Sequence, residues 1–142
     1  MNYWICIVNE ENWEVMKKRK IWGVNERNQN QIRKIAIHDF LIFYVKPKKI
    51  GGVFRADSDI FRGDEMIFKT TGFAKEETFP YRLRLEPFLV PRRLVEFTPL
   101  ISKLSFIKRK DGKWASSIFG KAMRQISEND YELILTELRK YK

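Results

Sequence analysis

The sequence is poor in the residues that carry most metal and nucleophile chemistry: among 142 residues there is one cysteine, Cys6, and one histidine, His38. A single cysteine excludes an internal disulfide and fits a reducing compartment. One of each also excludes a zinc site built from the usual His and Cys ligands within one chain. No Gly-x-Ser-x-Gly surrounds any serine and neither phosphate-loop pattern occurs, so a Ser-His-Asp triad and a nucleotide cradle both lack support. The longest apolar run, Phe40–Val45, has six residues between Asp39 and Lys46, against roughly 20 for a helix that spans a bilayer. The opening Met1-Asn2-Tyr3-Trp4 lacks the basic start and small-residue cleavage site of a secretory signal. The expected location is the cytoplasm.

What the chain has in excess is positive charge: 28 Lys and Arg against 18 Asp and Glu give +10. Residues 1–50 carry ten basic and five acidic side chains, 51–100 eight of each, and 101–142 ten against five. If the two end thirds lie side by side, they form a surface suited to phosphates, whose neutralisation releases counterions. The competing account is a solvated face of the kind common in heat-loving organisms, where Lys and Glu rise together. Here the acidic residues do not rise in step, which favours nucleic acid. Eleven Phe, five Tyr and four Trp supply ample core material. The length fits one domain over residues 1–142.

Local patterns predict the elements. Residues 3–8 are dense in β-branched and aromatic side chains, and Asn9 behind them is a good N-cap with Glu10 and Glu11 in the first turn. The helix carries Trp13 and Met16 on one face and closes with Lys17, Lys18, Arg19 and Lys20 before Trp22-Gly23. The polar residues 25–31 lead to a short second helix over residues 32–35. His38-Asp39 turns the chain into a strand at 40–45, and Pro47 with Gly51-Gly52 bounds a hairpin. Residues 79–85 alternate as a half-buried strand, while Pro87 and Pro91 argue against a long interior strand there. Asp111-Gly112 marks a tight turn within the basic residues 108–113. Ser127 resembles the cap of a capping box that has Asp130 in place of Glu or Gln, and Tyr131, Ile134, Leu135, Leu138 and Tyr141 form one stripe. The order β, α, several strands, α predicts an α+β fold.

Taken residue by residue, the candidates for chemistry each have a plain alternative. Asp57, Asp59, Asp64 and Glu65 could hold Mg²⁺ in a nuclease-like site, but they are equally what a solvated loop needs. Cys6 alternates with Ile5 and Ile7, as a buried inert thiol does. Trp4 and Trp13 read as core. Trp22 leaves core and pocket equally open, because it follows four basic residues and precedes Gly23, where backbone can approach a ligand closely. Arg124 and the cations of residues 108–113 could hold phosphates or form a solvated hairpin. No cofactor and no metal are expected.

The motifs Tyr3 to Ile7, Asn12-Trp13, Ile21 to Val24, Phe79 to Arg82, and Phe106-Ile107 through Trp114 to Arg124 occur in an order and spacing that resembles the EVE domain family along essentially the whole chain. The resemblance implies a PUA-like fold, a small β-barrel flanked by helices, and kinship with YTH domains, which read a methylated base in an aromatic pocket. It places Trp22 where a cage tryptophan stands and Asn12 where a polar side chain meets the base edge. Two departures are visible: His38-Asp39 replaces the usual Gly-Asp, and Trp22-Gly23-Val24 replaces the Trp-Asp-Gly-Val of many members. The expected function is a non-catalytic reader of a flipped, modified base in RNA or DNA, acting as a monomer. Its expected pocket comprises Asn9, Asn12, Trp22, Gly23, Val24, Tyr81, Trp114, Ser116, Phe119 and Arg124, with Trp22 giving base selectivity without being needed for the fold. Its expected phosphate contacts are Lys17, Lys18, Arg19, Lys20, Lys108, Arg109, Lys110, Lys113 and Lys121. The alternatives are a metal-dependent nuclease or hydrolase that uses the loop carboxylates, a PUA-like RNA-binding domain without modified-base readout, and a protein-interaction module.

Overall fold

The computed structural model of the chain describes residues 1–68, 78–108, 112–118 and 122–141. Its first strand, Tyr3–Val8 (β1), ends at Asn9, whose Oδ1 accepts the Asn12 N–H at 2.8 Å and so caps helix α1, Glu10–Arg19. Acidic residues in the first turn and basic ones in the last both suit the helix dipole. Lys20, at φ 55, closes the helix by donating its N–H to the Met16 carbonyl, and Ile21–Val24 (β2) follows at once. A 3-10 turn at Glu26–Asn28 then leads into α2, Gln29–Ile32. The second helix thus lies earlier than the sequence suggests. Beyond it, N–H groups of Lys34 and Ile35 donate to carbonyls three residues back, tightening the backbone into turns as the chain heads for Asp39.

The remaining elements are β3 (Phe40–Val45), β4 (Lys49–Ala56), β5 (Phe61–Arg62), β6 (Tyr81–Leu89), β7 (Val95–Glu96), β8 (Met123–Ile126) and α3 (Glu128–Arg139). The sheet runs β2-β6-β4-β3-β1-β8, with β5 added on β6 and β7 on β4. Among the described residues only the β1–β3 pair is parallel, in the register Val8↔Val45, and the other pairs are antiparallel. The curled sheet with helices α1, α2 and α3 is the α+β small barrel expected of a PUA-like fold. No helix among the described residues is long and apolar enough to cross a membrane.

Period-2 alternation divides the interior into two layers. On one face Trp4, Cys6 and Val8 of β1 meet Leu41, Phe43 and Val45 of β3, together with Trp13 and Met16 of α1. On the other face Ile5, Ile42 and Tyr44 pack against Tyr131, Ile134, Leu135 and Leu138 of α3. Burial on both faces explains why Phe40–Val45 is continuously apolar. At the start of α3 the Ser127 hydroxyl accepts the Asp130 N–H at 3.1 Å. The Asp130 carboxylate does not return to the cap. It accepts from Ser105 N–H and Oγ–H and from Phe106 N–H, fastening the loop beneath the helix. The helix ends at Arg139, so Tyr141, the last residue of the stripe, is exposed.

Two expectations from glycine and proline are corrected. The hairpin turns at Pro47-Lys48, whereas Gly51 and Gly52 lie within β4. Gly51 is needed there because the Trp13 indole lies flat on it, so that a Cβ would come 2.4 Å from Trp13 Cζ2. Strand β6 does run through Pro87 for nine residues. It does so where its pairing with β4 shifts register between Val53 and Phe54, an irregularity of the kind that accommodates proline in a sheet. Gly51→Ala should therefore destabilise the protein by about 1–3 kcal/mol through overpacking against Trp13, read as a lowered midpoint of urea unfolding at unchanged slope.

Candidate functional site

The parallel register of β1 and β3 brings the residues that follow each strand to the same end of the sheet. Asn9 and Lys46 therefore stand side by side, and the Lys46 N–H donates to the Val8 carbonyl at 2.9 Å. A cleft of about 770 Å³ opens there, within the usual size range of ligand sites. Its floor is formed by Ile7, Val8 and Asn12, and one wall by Trp22, Gly23 and Val24 of β2. Asn25, Arg27, Asn28 and Gln31 come from the segment after β2, Phe68 and Phe79 add aromatic surface, and Ala122 precedes β8. The cleft thus occupies the mouth between the two end strands of the sheet.

Its chemistry is unusual in its selection. Among the described residues, five side-chain amides (Asn9, Asn12, Asn25, Asn28 and Gln31) line it, with three aromatic rings, the cations Arg27 and Lys46, and no carboxylate. Each amide can both donate and accept, so the set can read the edge of a planar heterocycle. Asn9 Oδ1 is committed to capping α1, and Asn25 Oδ1 accepts from Asn28 Nδ2 at 2.7 Å, which fixes the orientation of both groups. The positive end of the α1 dipole adds to the two cations. Phe68 and Phe79 meet edge to face with ring centres 5.8 Å apart.

With the fold and the cleft placed, similarity to known proteins gives the affiliation. A model of the EVE domain matches residues 2–137. The chain belongs to the EVE domain family. It is 41% identical to a UPF0310 protein of Pyrococcus abyssi, over 94% of this chain and 97% of that one. A UPF0310 protein of Pyrococcus horikoshii is 39% identical with the same coverages. Among solved structures, the MmI1 YTH domain superposes with a TM-score of 0.64 at 15% identity, covering 99% of this chain and 96% of that one. The YTH domain of Zygosaccharomyces rouxii MRB1, solved in complex with N6-methyladenosine RNA, superposes with a TM-score of 0.63 at 16% identity, over 99% and 89%. At such identities the likeness shows a shared fold.

In this EVE domain the cleft gathers Asn9, Asn12, Trp22, Gly23 and Val24 from the expected pocket, and not the others that are described. Tyr81 lies outside its lining, its ring within 5.9 Å of the Arg33 guanidinium and 5.6 Å of that of Arg62, and its hydroxyl donates to Glu26. Trp114 packs on Phe97 at 5.7 Å in the layer under α3, and the Ser116 hydroxyl donates to the Lys113 carbonyl. Arg124 follows from strand alternation: Met123 faces the α1 layer, so Arg124 faces the opposite one, over the Phe106 ring and donating to the Ser117 carbonyl. Phe119, Arg109, Lys110 and Lys121 lie outside the described residues, as does most of the Asp111-Gly112 turn.

The basic run of α1 closes the end of the helix opposite the Asn9 cap. The helix brings Asn9 and Asn12 to the cleft from its N-terminal end, and Lys17–Lys20 at its C-terminal end are not part of the lining. Lys17 pairs with Glu14 at 3.2 Å and Arg19 with Glu65 at 3.2 Å, and the Lys20 carbonyl accepts the Leu85 N–H, while Lys18 is exposed. Lys108 and Lys113 are exposed but do not line the cleft. Sequence reasoning passed over Lys46, Arg27 and the amides of residues 25–31. A usable signal was present, since Asn, at positions 25, 28 and 30, is a poorer helix former than the Glu and Lys of a merely solvated helix face.

The groups considered for catalysis are dispersed. Cys6 is fully buried, which pushes its thiol well above the ordinary value. Asp64 faces Arg62 at 3.3 Å and Glu65 faces Arg19, and among the described residues no group of three or more His, Cys, Asp or Glu comes together. His38 serves the turn before β3, where it takes φ 77, a left-handed conformation that glycine adopts more readily.

Gly23 and Trp22 have structural duties as well. A Cβ on Gly23 would meet Arg82 Cγ at 2.9 Å and Phe68 Cε2 at 3.0 Å, so close approach by protein atoms already requires the glycine. Trp22 is 2% exposed and packs edge-on to Phe43 at 5.7 Å. This corrects the expectation that the fold can do without it. Trp22→Ala should cost about 3–5 kcal/mol, seen as a sharp fall in melting temperature whether or not ligand is present.

Proposed function

We propose that this EVE domain is a non-catalytic reader of single-stranded nucleic acid that accepts a flipped, modified base in the cleft. The observation that carries the reading is the composition of that cleft among the described residues: amides and aromatic rings inside, Arg27 and Lys46 among its lining, and no carboxylate. Aromatic faces hold an unstacked base, amides read its edge, and cations meet the flanking phosphates. The net charge of +10 supplies a wider, sequence-independent attraction. The solved YTH structures in complex with RNA, one of them with N6-methyladenosine, support the same use of the shared fold. A hydrolase is less well served by a cleft whose described lining has no carboxylate, histidine or cysteine.

The test is affinity across matched modified and unmodified RNA and DNA oligonucleotides at two salt concentrations. One modified base should be preferred over its parent by about 5- to 150-fold, the equivalent of 1–3 kcal/mol. Lys46→Gln and Arg27→Gln should each weaken all oligonucleotides alike and reduce the slope of log K against log salt by about 1. Asn12→Ala should remove the preference and leave the slope. Equal affinity for every base would overturn modified-base readout, and cleavage dependent on Mg²⁺ would overturn the non-catalytic assignment.

A further inference from the structure

Arg82 is 3% exposed, although arginine is almost never so buried unless it is paired. Two glycines make room for it: a Cβ on Gly23 would come within 2.9 Å of Arg82 Cγ, and one on Gly63 within 2.6 Å of Arg82 Nη1. Its guanidinium joins two separate stretches of backbone. Nε donates to the Phe79 carbonyl at 3.0 Å, and Nη2 donates to the Thr78 carbonyl at 3.0 Å and to the Glu65 carbonyl. The Phe68 ring centre lies 5.5 Å from its Cζ. Burial pulls its pKa down, opposed by the charges of Glu65 and Asp64. A planar fork with five N–H donors can serve several carbonyls at once, which an ammonium group at the end of a flexible stem does less well.

The residues so held are those that give the cleft its phenylalanine surface. Phe79 sits at φ 52, a conformation that a bulky residue keeps only when its surroundings enforce it. Its carbonyl is the acceptor for Arg82 Nε, and its ring packs on Phe68, the ring that faces the guanidinium. We propose that Arg82 is a positioning residue that fixes Phe68 and Phe79 and thereby sets which base the cleft accepts, without itself touching the ligand. The selectivity part rests on the base-reading function above. The positioning part concerns the free protein alone.

Two variants test it, by amide hydrogen exchange without ligand and by the oligonucleotide panel. Arg82→Lys keeps the charge and loses the fork. Gly63→Ala keeps Arg82 and pushes the guanidinium tip aside, and it is the gentler change should Arg82→Lys fold poorly. The Gly63 N–H, which donates to the Pro80 carbonyl at 2.8 Å, is the probe. In Arg82→Lys the residue-63 amide should exchange about tenfold faster while amides of β1 and β3 stay as they were, and preference for the favoured base should fall about tenfold with the salt slope unchanged. Gly63→Ala should move both in the same direction by less. Unchanged exchange at residue 63, an equal rise throughout β1 and β3, or loosened exchange with full base preference would each overturn the proposal. A wild-type protein with no base preference would overturn the base-reading function and the selectivity part, and exchange would then decide the positioning part by itself.

Discussion

The carboxylate of Asp39 is the fixed point on which the arrangement turns. Buried to 2% exposure, it accepts from the Asn2 N–H at 2.9 Å, from Trp4 Nε1 at 3.0 Å and from the Ala36 N–H at 2.9 Å. A buried carboxylate is costly unless its oxygens are satisfied, so each donor is held firmly in return. The three donors come from the start of β1, from its first inward-facing side chain and from the turn ahead of β3. Together they set those two strands alongside each other, and the Phe40 N–H donating to the Asn2 carbonyl continues the alignment into the sheet. The parallel register that places Asn9 beside Lys46 begins there.

From that register the cleft follows with little further choice. Strand β1 delivers the helix cap, β3 delivers a cation, and the antiparallel return of β2 delivers Trp22 to Val24. Two buried charges of opposite sign support it in different ways. Asp39 gathers N–H donors at the far end of the parallel strands, whereas Arg82 gathers carbonyls beside the cleft itself. Both are satisfied mainly by backbone, which ties segments of chain together where a salt bridge would tie only two side chains.

Much of the fold was legible because its signals are local. Asn9 as a cap, the basic closing turn of α1, the dense β pattern of residues 3–8 and the stripe on α3 each depend on a few adjacent residues, and each appears in the structure. The resemblance to the EVE family added the topology class, and the match over residues 2–137 supports it. What could not be read locally was pairing. Nothing within residues 40–46 says that β3 runs parallel to β1, so Lys46 entered the sequence reading only as the charge that ends an apolar run. Gly51 looked like a turn because its partner, the Trp13 ring, is far away in sequence. Arg124 was a different kind of miss, since alternation from Met123 was available and would have turned it away from the α1 layer.

The two-layer interior has a consequence for how this sequence can vary. In β1 and β3 every second residue belongs to one layer and the intervening ones to the other, with no face left to solvent. Inserting or deleting one residue in either strand would exchange the two sets, driving side chains fitted to α1 toward α3 and the reverse. Substitutions there can be absorbed one at a time, but changes of length cannot. Insertions and deletions should therefore accumulate in related chains between β4 and β6 or between β7 and β8, where connections are long, while the spacing from Asp39 to Lys46 stays at seven residues.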